Sequence, residues 1–217
     1  MRGRCRRDSP RPRGTPSPLS CGVQASPTNY DKIAANRPDA LAINFAMCST
    51  PAMVHFLDGA KLPHPIHGSH EAVGGILEFM PASHISRWFS APLLHSGIVD
   101  AGGAVVNDAM LDALPWVIRV PCYPPAVVLR RLGIFHIDFW VLDVEGGEAA
   151  VLQAFDFSPE TGVTVDVIVM EANNIDAPDF QPRVQLLAKA GLLQDPGLVD
   201  YPNYWFVRQG FKPSRKS

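Results

Sequence analysis

Long apolar runs, a strong net charge and paired cysteines are all lacking from this sequence. No stretch approaches the roughly 18 consecutive apolar residues of a membrane span. The formal net charge of −2 favours neither a nucleic-acid partner nor association with a charged membrane surface. The four cysteines include no CxxC pair, which excludes the common zinc motifs and provides no disulfide framework. The composition therefore predicts a soluble protein with reduced, buried thiols, no membrane span and no nucleic-acid partner.

The chain is long enough for one domain with a sizeable core. Its 217 residues fit the usual size of a single domain, and 47% of them are hydrophobic. We expect this domain to span residues 22–210, with an insertion at 58–115 that holds five of the seven histidines and many Gly and Pro residues. Long insertions in compact domains are commonly functional, so residues 58–115 are expected to form part of a ligand pocket. Residues 211–217 are expected to be a basic tail.

Residues 1–21 differ in composition from the rest of the chain. The first twenty contain six arginines and four prolines, one acidic residue and no apolar periodicity. Such a segment cannot build a core, so we expect a disordered Arg/Pro-rich tail or the product of a wrongly predicted first exon. Arg-rich, acid-poor N-termini can also be organelle transit peptides, but this one lacks an apolar face. The compartment stays open, with the cytoplasm favoured.

Apolar runs and helix-like periodicity alternate along residues 22–210. The pattern predicts strands at 41–48, 53–57, 117–120, 137–142, 163–170 and 204–208, and helices at 29–36, 84–89, 124–132, 148–155 and 184–190. Alternating strands and helices are typical of an α/β fold with a mostly parallel sheet and helices on both faces. The continuous apolar run VDVIVM fits a strand that is buried on both sides.

Candidate functional residues follow the predicted strands. In open α/β sheets, ligands bind outside the carboxyl ends of the strands. That rule selects residues 24–26, 46–48, 143–148 and 171–174. Asp143 ends an apolar strand, where an acid is costly to bury unless a ligand, metal or hydrogen-bond donor satisfies it. Glu145 follows on a turn that Gly146 and Gly147 permit, whereas Glu148 falls in the first helical turn and is expected to cap the helix.

A metal site is the weaker interpretation of the same residues. Glu171 closes the next strand, so its carboxylate is expected near that of Asp143, and two acids can bind a hard divalent cation. The histidines His64, His67 and His70 repeat every three residues, but zinc spacing of this sort needs a firm scaffold. Such acids more commonly hydrogen-bond loop backbone, so no metal ligand is predicted.

Several ordered blocks of the sequence resemble a known enzyme family. The blocks IDFWVLDVEGGEAAVLQAFDF, VDVIVMEANN and YWFVR, with ASPTNYDKIAANRPDALAINFAMC, AVGGILEFM and VPCYP upstream, resemble the FkbM-type methyltransferases over residues 22–208. These are class I enzymes that use S-adenosylmethionine. The resemblance implies a Rossmann-like sheet whose last strand, 204–208, is antiparallel. It also implies methyl transfer, commonly to a hydroxyl oxygen, so that a small molecule or a glycan would be the acceptor.

The resemblance also implies roles for individual residues. Asp143 and Glu145 match the family's acidic motif near the transferred methyl group, with Asp143 as the base or acceptor-orienting group and Glu145 supporting it. Ala46 and Met47 match the segment that flanks the adenine of the cofactor. Gln24 stands where family members usually carry an acid that binds the ribose hydroxyls. The resemblance therefore implies cofactor contacts from Gln24, Ala46, Met47 and Asp143.

The sequence departs from the family at its N-terminal side. The family's first strand and its Gly-rich cofactor loop should precede Gly22, where only Arg/Pro-rich sequence stands. We therefore expect an N-terminally incomplete sheet, from a truncated gene model in preference to an inactive paralogue or a domain that another chain completes. Methyl transfer is the leading functional hypothesis. An inactive or truncated remnant that acts as a binding module is the alternative, and a metal-dependent hydrolase built on Asp143, Glu171 and the loop histidines is a weaker one.

Overall fold

The computed structural model describes residues 2–7, 19–61, 63–64, 68–69, 73–89, 108–172, 177–200 and 202–212. In chain order these residues form β1 (Arg2–Arg7), β2 (Leu19–Val23), α1 (Pro27–Asn36), β3 (Leu41–Ile43), β4 (Ala46–Met47), β5 (Ala52–Leu57), a 3-10 helix (Gly59–Lys61), β6 (Pro63–His64), β7 (Gly68–Ser69), β8 (Gly75–Ile76), α2 (Ala82–Trp88), a second 3-10 helix (Asp108–Ala113), β9 (Val117–Tyr123), α3 (Pro125–Arg131), β10 (Ile134–Leu142), α4 (Glu148–Ala154), β11 (Thr164–Glu171), α5 (Ala177–Lys189), β12 (Leu192–Asp200) and β13 (Asn203–Arg208). Among the helices of these residues, none combines the length and the apolar character that crossing a membrane requires.

The largest sheet has seven strands in the order β12-β13-β11-β10-β1-β2-β3. Only the pairs β10/β11 and β2/β3 are parallel, and the other neighbouring pairs are antiparallel. The predicted α/β class is therefore confirmed, whereas the sheet is mixed and not mostly parallel. The final strand, β13, runs antiparallel to both of its neighbours, as expected.

The N-terminal segment forms part of this sheet. The sequence predicts a disordered tail over residues 1–21, but β1 lies between β2 and β10, and β2 itself begins at Leu19. The hydrogen bonds between neighbouring strands are made by backbone N–H and C=O groups. A segment without proline can therefore pair with a neighbouring strand whatever the polarity of its side chains. The tail prediction is therefore wrong for Arg2–Arg7 and for the start of β2. The sequence predicts a sheet that lacks its first strand, but β1 lies next to β2 in the structure. It runs antiparallel to both of its neighbours.

The core lies under the middle of the sheet and fixes the positions of its strand ends. Trp140 and Leu142 on β10 are fully buried, as are Ile168 and Met170 on β11. These residues pair across the two parallel strands, Trp140 with Ile168 and Leu142 with Met170. Both strands therefore end together, which places the residue after Leu142 beside Glu171.

Residues 41–48, predicted as a single strand, divide between two sheets. β3 pairs with β2 in the large sheet, whereas β4 pairs with β9 in a four-stranded sheet of order β4-β9-β5-β8. The side-chain amide nitrogen of Asn44, Nδ2, donates to the backbone carbonyl oxygens of Gln24 at 2.7 Å and Ala25 at 3.1 Å. These bonds stabilise the change of direction and connect it to the end of β2. One end of the second sheet thus lies against the carboxyl ends of the first.

A disulfide crosses the second sheet. Cys48 and Cys122 are bonded with their Cα atoms 5.7 Å apart, because β4 and β9 are neighbours. The expectation of reduced thiols is therefore wrong for these two residues. Their separation of 74 residues has no spacing signature that the sequence could reveal. Cys21 is buried, as expected.

Candidate functional site

A cavity of about 420 Å³ lies where the two larger sheets meet. This volume is within the usual range for small-molecule sites, roughly 300–1,000 Å³. The lining comes from five parts of the chain: residues 23–25 at the end of β2, residues 29 and 33 of α1, residues 45–47 and 56, residues 74–76 and 79 of the insertion, and residues 143–145, 147 and 151 around the end of β10.

All five residues that the sequence assigned to the cofactor or to catalysis lie on this cavity. They are Gln24, Ala46, Met47, Asp143 and Glu145. The expected contribution of the 58–115 insertion is also present, through Gly74, Gly75, Ile76 and Phe79. Sequence patterns did not select the apolar wall residues Phe45 and Phe79. Their periodicity is that of ordinary core residues, so no sequence signal distinguishes them.

Gln24 is held in place by the turn that follows β2. Its amide oxygen accepts a hydrogen bond from the Ser26 backbone N–H at 3.1 Å. The hydroxyl oxygen of Ser26 in turn accepts from the Asn29 backbone N–H at 3.2 Å and caps α1. One lone pair of the Gln24 amide oxygen is therefore engaged, which leaves its second lone pair and its N–H groups as the means of binding a ligand.

Three carboxylates meet at the carboxyl ends of β10 and β11. One oxygen each from Asp143, Glu145 and Glu171 lies within 4.8 Å of the others. The in-register ends of the two strands bring Asp143 and Glu171 together, and the turn after β10 adds Glu145. The sequence predicts Asp143 as the acid that is buried, but in the structure Asp143 is exposed and Glu145 is half-buried.

This grouping changes the proton affinity of two of the acids. Burial, and then the charges of Asp143, Glu171 and Glu148, raise the pKa of Glu145 from 4.5 to about 8. Burial, together with the hydrogen bond and the charge of Asp143, raises the pKa of Glu171 to about 7. Both groups therefore exchange protons near neutral pH, which is the range that general acid–base catalysis requires.

The turn that carries Glu145 has an unusual backbone. Glu145 has a φ of 53°, in the left-handed region, which costs a non-glycine residue roughly 1 kcal/mol. Gly146 follows with a φ of 93°, and a Cβ there would lie 2.6 Å from Cδ of Pro81. The Glu148 carboxylate stabilises the turn by accepting from the backbone N–H groups of Val144 at 3.1 Å and Gly146 at 3.2 Å.

Glu148 therefore has a structural role, although not the predicted one. It is buried, and it supports the turn before α4 in addition to occupying the helix's first turn. A guanidinium nitrogen of Arg183, Nη1, lies 3.5 Å from its second carboxylate oxygen. α5 thereby reaches the turn that presents Glu145 to the cavity.

The charges of the cavity wall are of one sign. The lining residues include two acids and no lysine, arginine or histidine among the parts of the chain that the structure describes. A neutral or cationic ligand suits such a wall better than an anionic one. Of the histidines considered for a metal site, His64 lies in β6, and His67 and His70 lie outside the described residues.

These residues supply a cavity with apolar walls, an anchored amide and a group of titratable carboxylates at one end. Small-molecule sites typically combine an apolar cleft with a few convergent polar groups, some of them with a perturbed pKa.

Comparison of the chain with family models, with curated proteins and with solved structures gives no match.

Proposed function

We propose that this chain is an S-adenosylmethionine-dependent methyltransferase that acts on a hydroxyl group of a small molecule or glycan. The observation that carries the proposal is the convergence of Gln24, Ala46, Met47, Asp143 and Glu145 on one cavity. These are the residues to which the family resemblance gives roles in cofactor binding and catalysis. The seven-stranded sheet, with its antiparallel final strand, is the part of the fold that supports a Rossmann-like relationship.

The chemical groups around the cavity fit S-adenosylmethionine. Phe45, Met47 and Ile76 provide apolar surface for an aromatic base, and Gln24 provides an amide for ribose hydroxyls. The sulfonium of this cofactor is cationic, which agrees with a wall that has acids and no basic residue among its described residues. When bound, the cofactor supplies an activated methyl group.

The protein's own contribution is to position the acceptor and to take up its proton. The acceptor hydroxyl must be aligned with the methyl group and partly deprotonated. Its positioning therefore supplies much of the acceleration of methyl transfer. We assign the proton acceptor to Glu145, because its pKa of about 8 is closest to that purpose. Asp143, which is exposed at the cavity, would orient the acceptor hydroxyl and strengthen the proton affinity of Glu145 through its charge.

A second candidate function is a binding module without catalysis. The orientation of β1 favours it. Arg2 pairs with Val141, but Arg7 pairs with Ile134, so β1 itself ends at the side of the sheet remote from the cavity. None of the described residues that line the cavity belongs to a loop that follows β1, so the described part of the wall contains no backbone N–H groups from a Gly-rich loop of that kind.

A metal-dependent hydrolase is a weaker third possibility. The oxygen atoms of Asp143, Glu145 and Glu171 are close enough to share an ion. The described residues bring no histidine to the cavity wall. Measuring the metal content of the purified protein tests this possibility directly.

Calorimetric titration of the chain with S-adenosylmethionine tests the methyltransferase proposal. We expect micromolar binding. Gln24→Glu should tighten binding about fivefold to tenfold, because a charge-assisted hydrogen bond to a ribose hydroxyl is roughly twice as strong as a neutral one. Gln209→Glu, which adds the same charge at an exposed position, is the matched control.

Two results would count against the proposal. Absence of binding at millimolar cofactor would favour the non-catalytic module. Binding that Gln24→Glu and Gln209→Glu change equally would show that the cofactor does not contact the end of β2.

A further inference from the structure

A second polar cluster lies on the large sheet toward the ends of β10 and β11 that are remote from the cavity. It comprises His136 and Asp138 on β10 and Asp166 on β11, with side chains that are 28%, 27% and 15% exposed. Residues two apart on a strand share one face, which places His136 and Asp138 together. Neither the cavity nor the proposed methyl transfer uses these residues.

The sheet register places two of these carboxylates opposite each other. Ile137 pairs with Val165 and Phe139 with Val167, so Asp138 faces Asp166 across the parallel pair. In the pairing of β10 with β1, Asp138 is the extra residue of a bulge, since Ile137 and Phe139 pair with consecutive residues of β1. Like charges directly opposite on neighbouring strands are destabilising unless a positive group compensates them. Bulges commonly redirect side chains at functional sites.

The ligand atoms are spaced as they would be around a metal ion. The His136 Nε2 atom is 3.0 Å from Asp166 Oδ2 and 3.8 Å from Asp138 Oδ1, and all three atoms lie within 4.8 Å of one another. An ion with bonds of about 2.0–2.1 Å has neighbouring ligands about 2.8–3.0 Å apart in octahedral geometry and about 3.3–3.4 Å apart in tetrahedral geometry. The His136 Nε2 and Asp166 Oδ2 atoms already have the spacing of two ligands on one ion, and binding would draw the Asp138 carboxylate inward to join them.

The hydrogen bond on the other side of the imidazole ring supports the same conclusion. The Nδ1 atom of His136 is 2.7 Å from the Thr164 hydroxyl oxygen, and that hydroxyl donates to the Phe135 carbonyl oxygen at 3.3 Å. The Thr164 hydroxyl has one hydrogen, so when it donates to Phe135 the ring donates from Nδ1, and in the other tautomer Nε2–H donates to Asp166 Oδ2 at 3.0 Å. In the Nδ1–H tautomer the Nε2 lone pair faces the Asp138 and Asp166 carboxylates, and a bound cation takes the place of the proton that joins His136 to Asp166 in the other tautomer. Histidine ligands of metals typically donate their second ring N–H to a neighbouring group in this way.

We propose that His136, Asp138 and Asp166 bind a divalent transition-metal ion of the zinc class. One imidazole nitrogen and two carboxylates suit such an ion better than magnesium or calcium, which prefer oxygen ligands alone. The ion would bridge β10 and β11 and leave at least one coordination position for water.

Arg208 contacts one carboxylate oxygen of this site and limits which oxygen of Asp166 can bind the ion. Its Nε atom is 3.2 Å from Asp166 Oδ1, and its guanidinium also donates to the Val165 carbonyl oxygen. Asp166 therefore offers the ion its other oxygen, Oδ2. The positive charge of Arg208 lowers the affinity for a second cation but fixes the orientation of the Asp166 carboxylate.

The test is a calorimetric titration of the tag-free, chelator-treated chain with zinc chloride, and separately with magnesium chloride. We expect one zinc ion per chain and no comparable magnesium binding. His136→Asn, Asp138→Asn and Asp166→Asn should each weaken zinc binding at least tenfold, with unchanged circular dichroism in the absence of metal. Asp143→Asn is the matched control, because it removes an acid of the other carboxylate cluster.

Nitrogen-15 NMR of the histidine rings provides a second measurement. The signal that His136→Asn removes should shift at Nε2 when zinc is added. If two of the variants fail to fold, the remaining one and this shift still decide the question. The proposal is overturned if no zinc binds, if zinc binds equally to the three variants, or if Asp143→Asn abolishes binding and the others do not.

Discussion

Replacement of Glu145 by glutamine should make the protein more stable at alkaline pH. In the folded state the pKa of Glu145 is about 8, above its ordinary value of 4.5. The folded state therefore holds a proton that the unfolded chain releases. The stabilisation from this proton is complete below pH 4.5 and is lost as the pH rises through about 8. Glutamine resembles the protonated acid and removes this dependence.

The magnitude follows from the difference in pKa. A move from 4.5 to about 8 corresponds to roughly 5 kcal/mol at about 1.36 kcal/mol per pH unit. Solvent reaches part of this half-buried carboxylate, and its charge is shared with Asp143 and Glu171, so screening reduces the observable effect to about 2 kcal/mol. Wild-type and variant proteins should differ little near pH 5 and by about 2 kcal/mol near pH 8.5.

Urea unfolding followed by circular dichroism across this pH range measures the effect. Glu160→Gln is the matched control, since Glu160 is an acid in an exposed turn. It should leave the pH dependence of the free energy of unfolding unchanged. Parallel pH profiles for wild type and Glu145→Gln would refute the inference that burial and neighbouring acids hold a proton on Glu145.

Three further predictions concern the same region. Gly146→Ala should lower the free energy of unfolding in urea by at least about 2 kcal/mol, since it adds a clash with the Pro81 ring to the cost of a left-handed φ. Gly133 has a similar φ but open space around it, so Gly133→Ala should lower the free energy of unfolding by only about 1 kcal/mol. Removing the disulfide with Cys48→Ser/Cys122→Ser should cost about 3 kcal/mol, and a reductant should lower the melting temperature of the wild type but not of the double variant. Asp143→Asn should leave the circular dichroism spectrum intact and lower methyl-transfer turnover at least tenfold, and an unchanged turnover would remove Asp143 from the reaction.

Apolar periodicity was sufficient to predict the strands that position the site. Residues 137–142 and 163–170 were predicted, and the observed strands are Ile134–Leu142 and Thr164–Glu171. Each contains a short continuous apolar run, FWVL or VIVM, that includes fully buried residues, and its length and its β-branched or aromatic content favour a strand over a helix. The location of the acids followed from that prediction, because side chains just beyond a strand end gather at the same edge of a sheet.

Elements without this signal were missed. β1 has no run of apolar residues, and its place in the sheet depends on backbone pairing with β2 and β10. β12 was missed because Pro196 and Gly197 interrupt its pattern, where the register with β13 is irregular. α5 begins at Ala177 and not at 184, since Pro182, normally a helix breaker, is accommodated within it.

The exposure of Asp143 and the disulfide were beyond the reach of local patterns. The exposure of Asp143 accompanies the left-handed turn at Glu145, which apolar periodicity does not specify. The disulfide depends on the adjacency of β4 and β9, which brings together residues 74 apart in the chain. Tertiary contacts of this kind have no periodicity in the sequence.

The central position of β1 has a consequence for how the chain folds. Arg2 pairs with Val141, so the middle of the sheet joins two segments whose synthesis is separated by 139 residues. At about 5–20 residues per second, β1 waits roughly 10–30 s on the ribosome for its partner. Non-local pairing of this kind slows folding and leaves strand edges unpaired meanwhile. Recruitment of a chaperone to the nascent chain should therefore be strongest before β10 emerges.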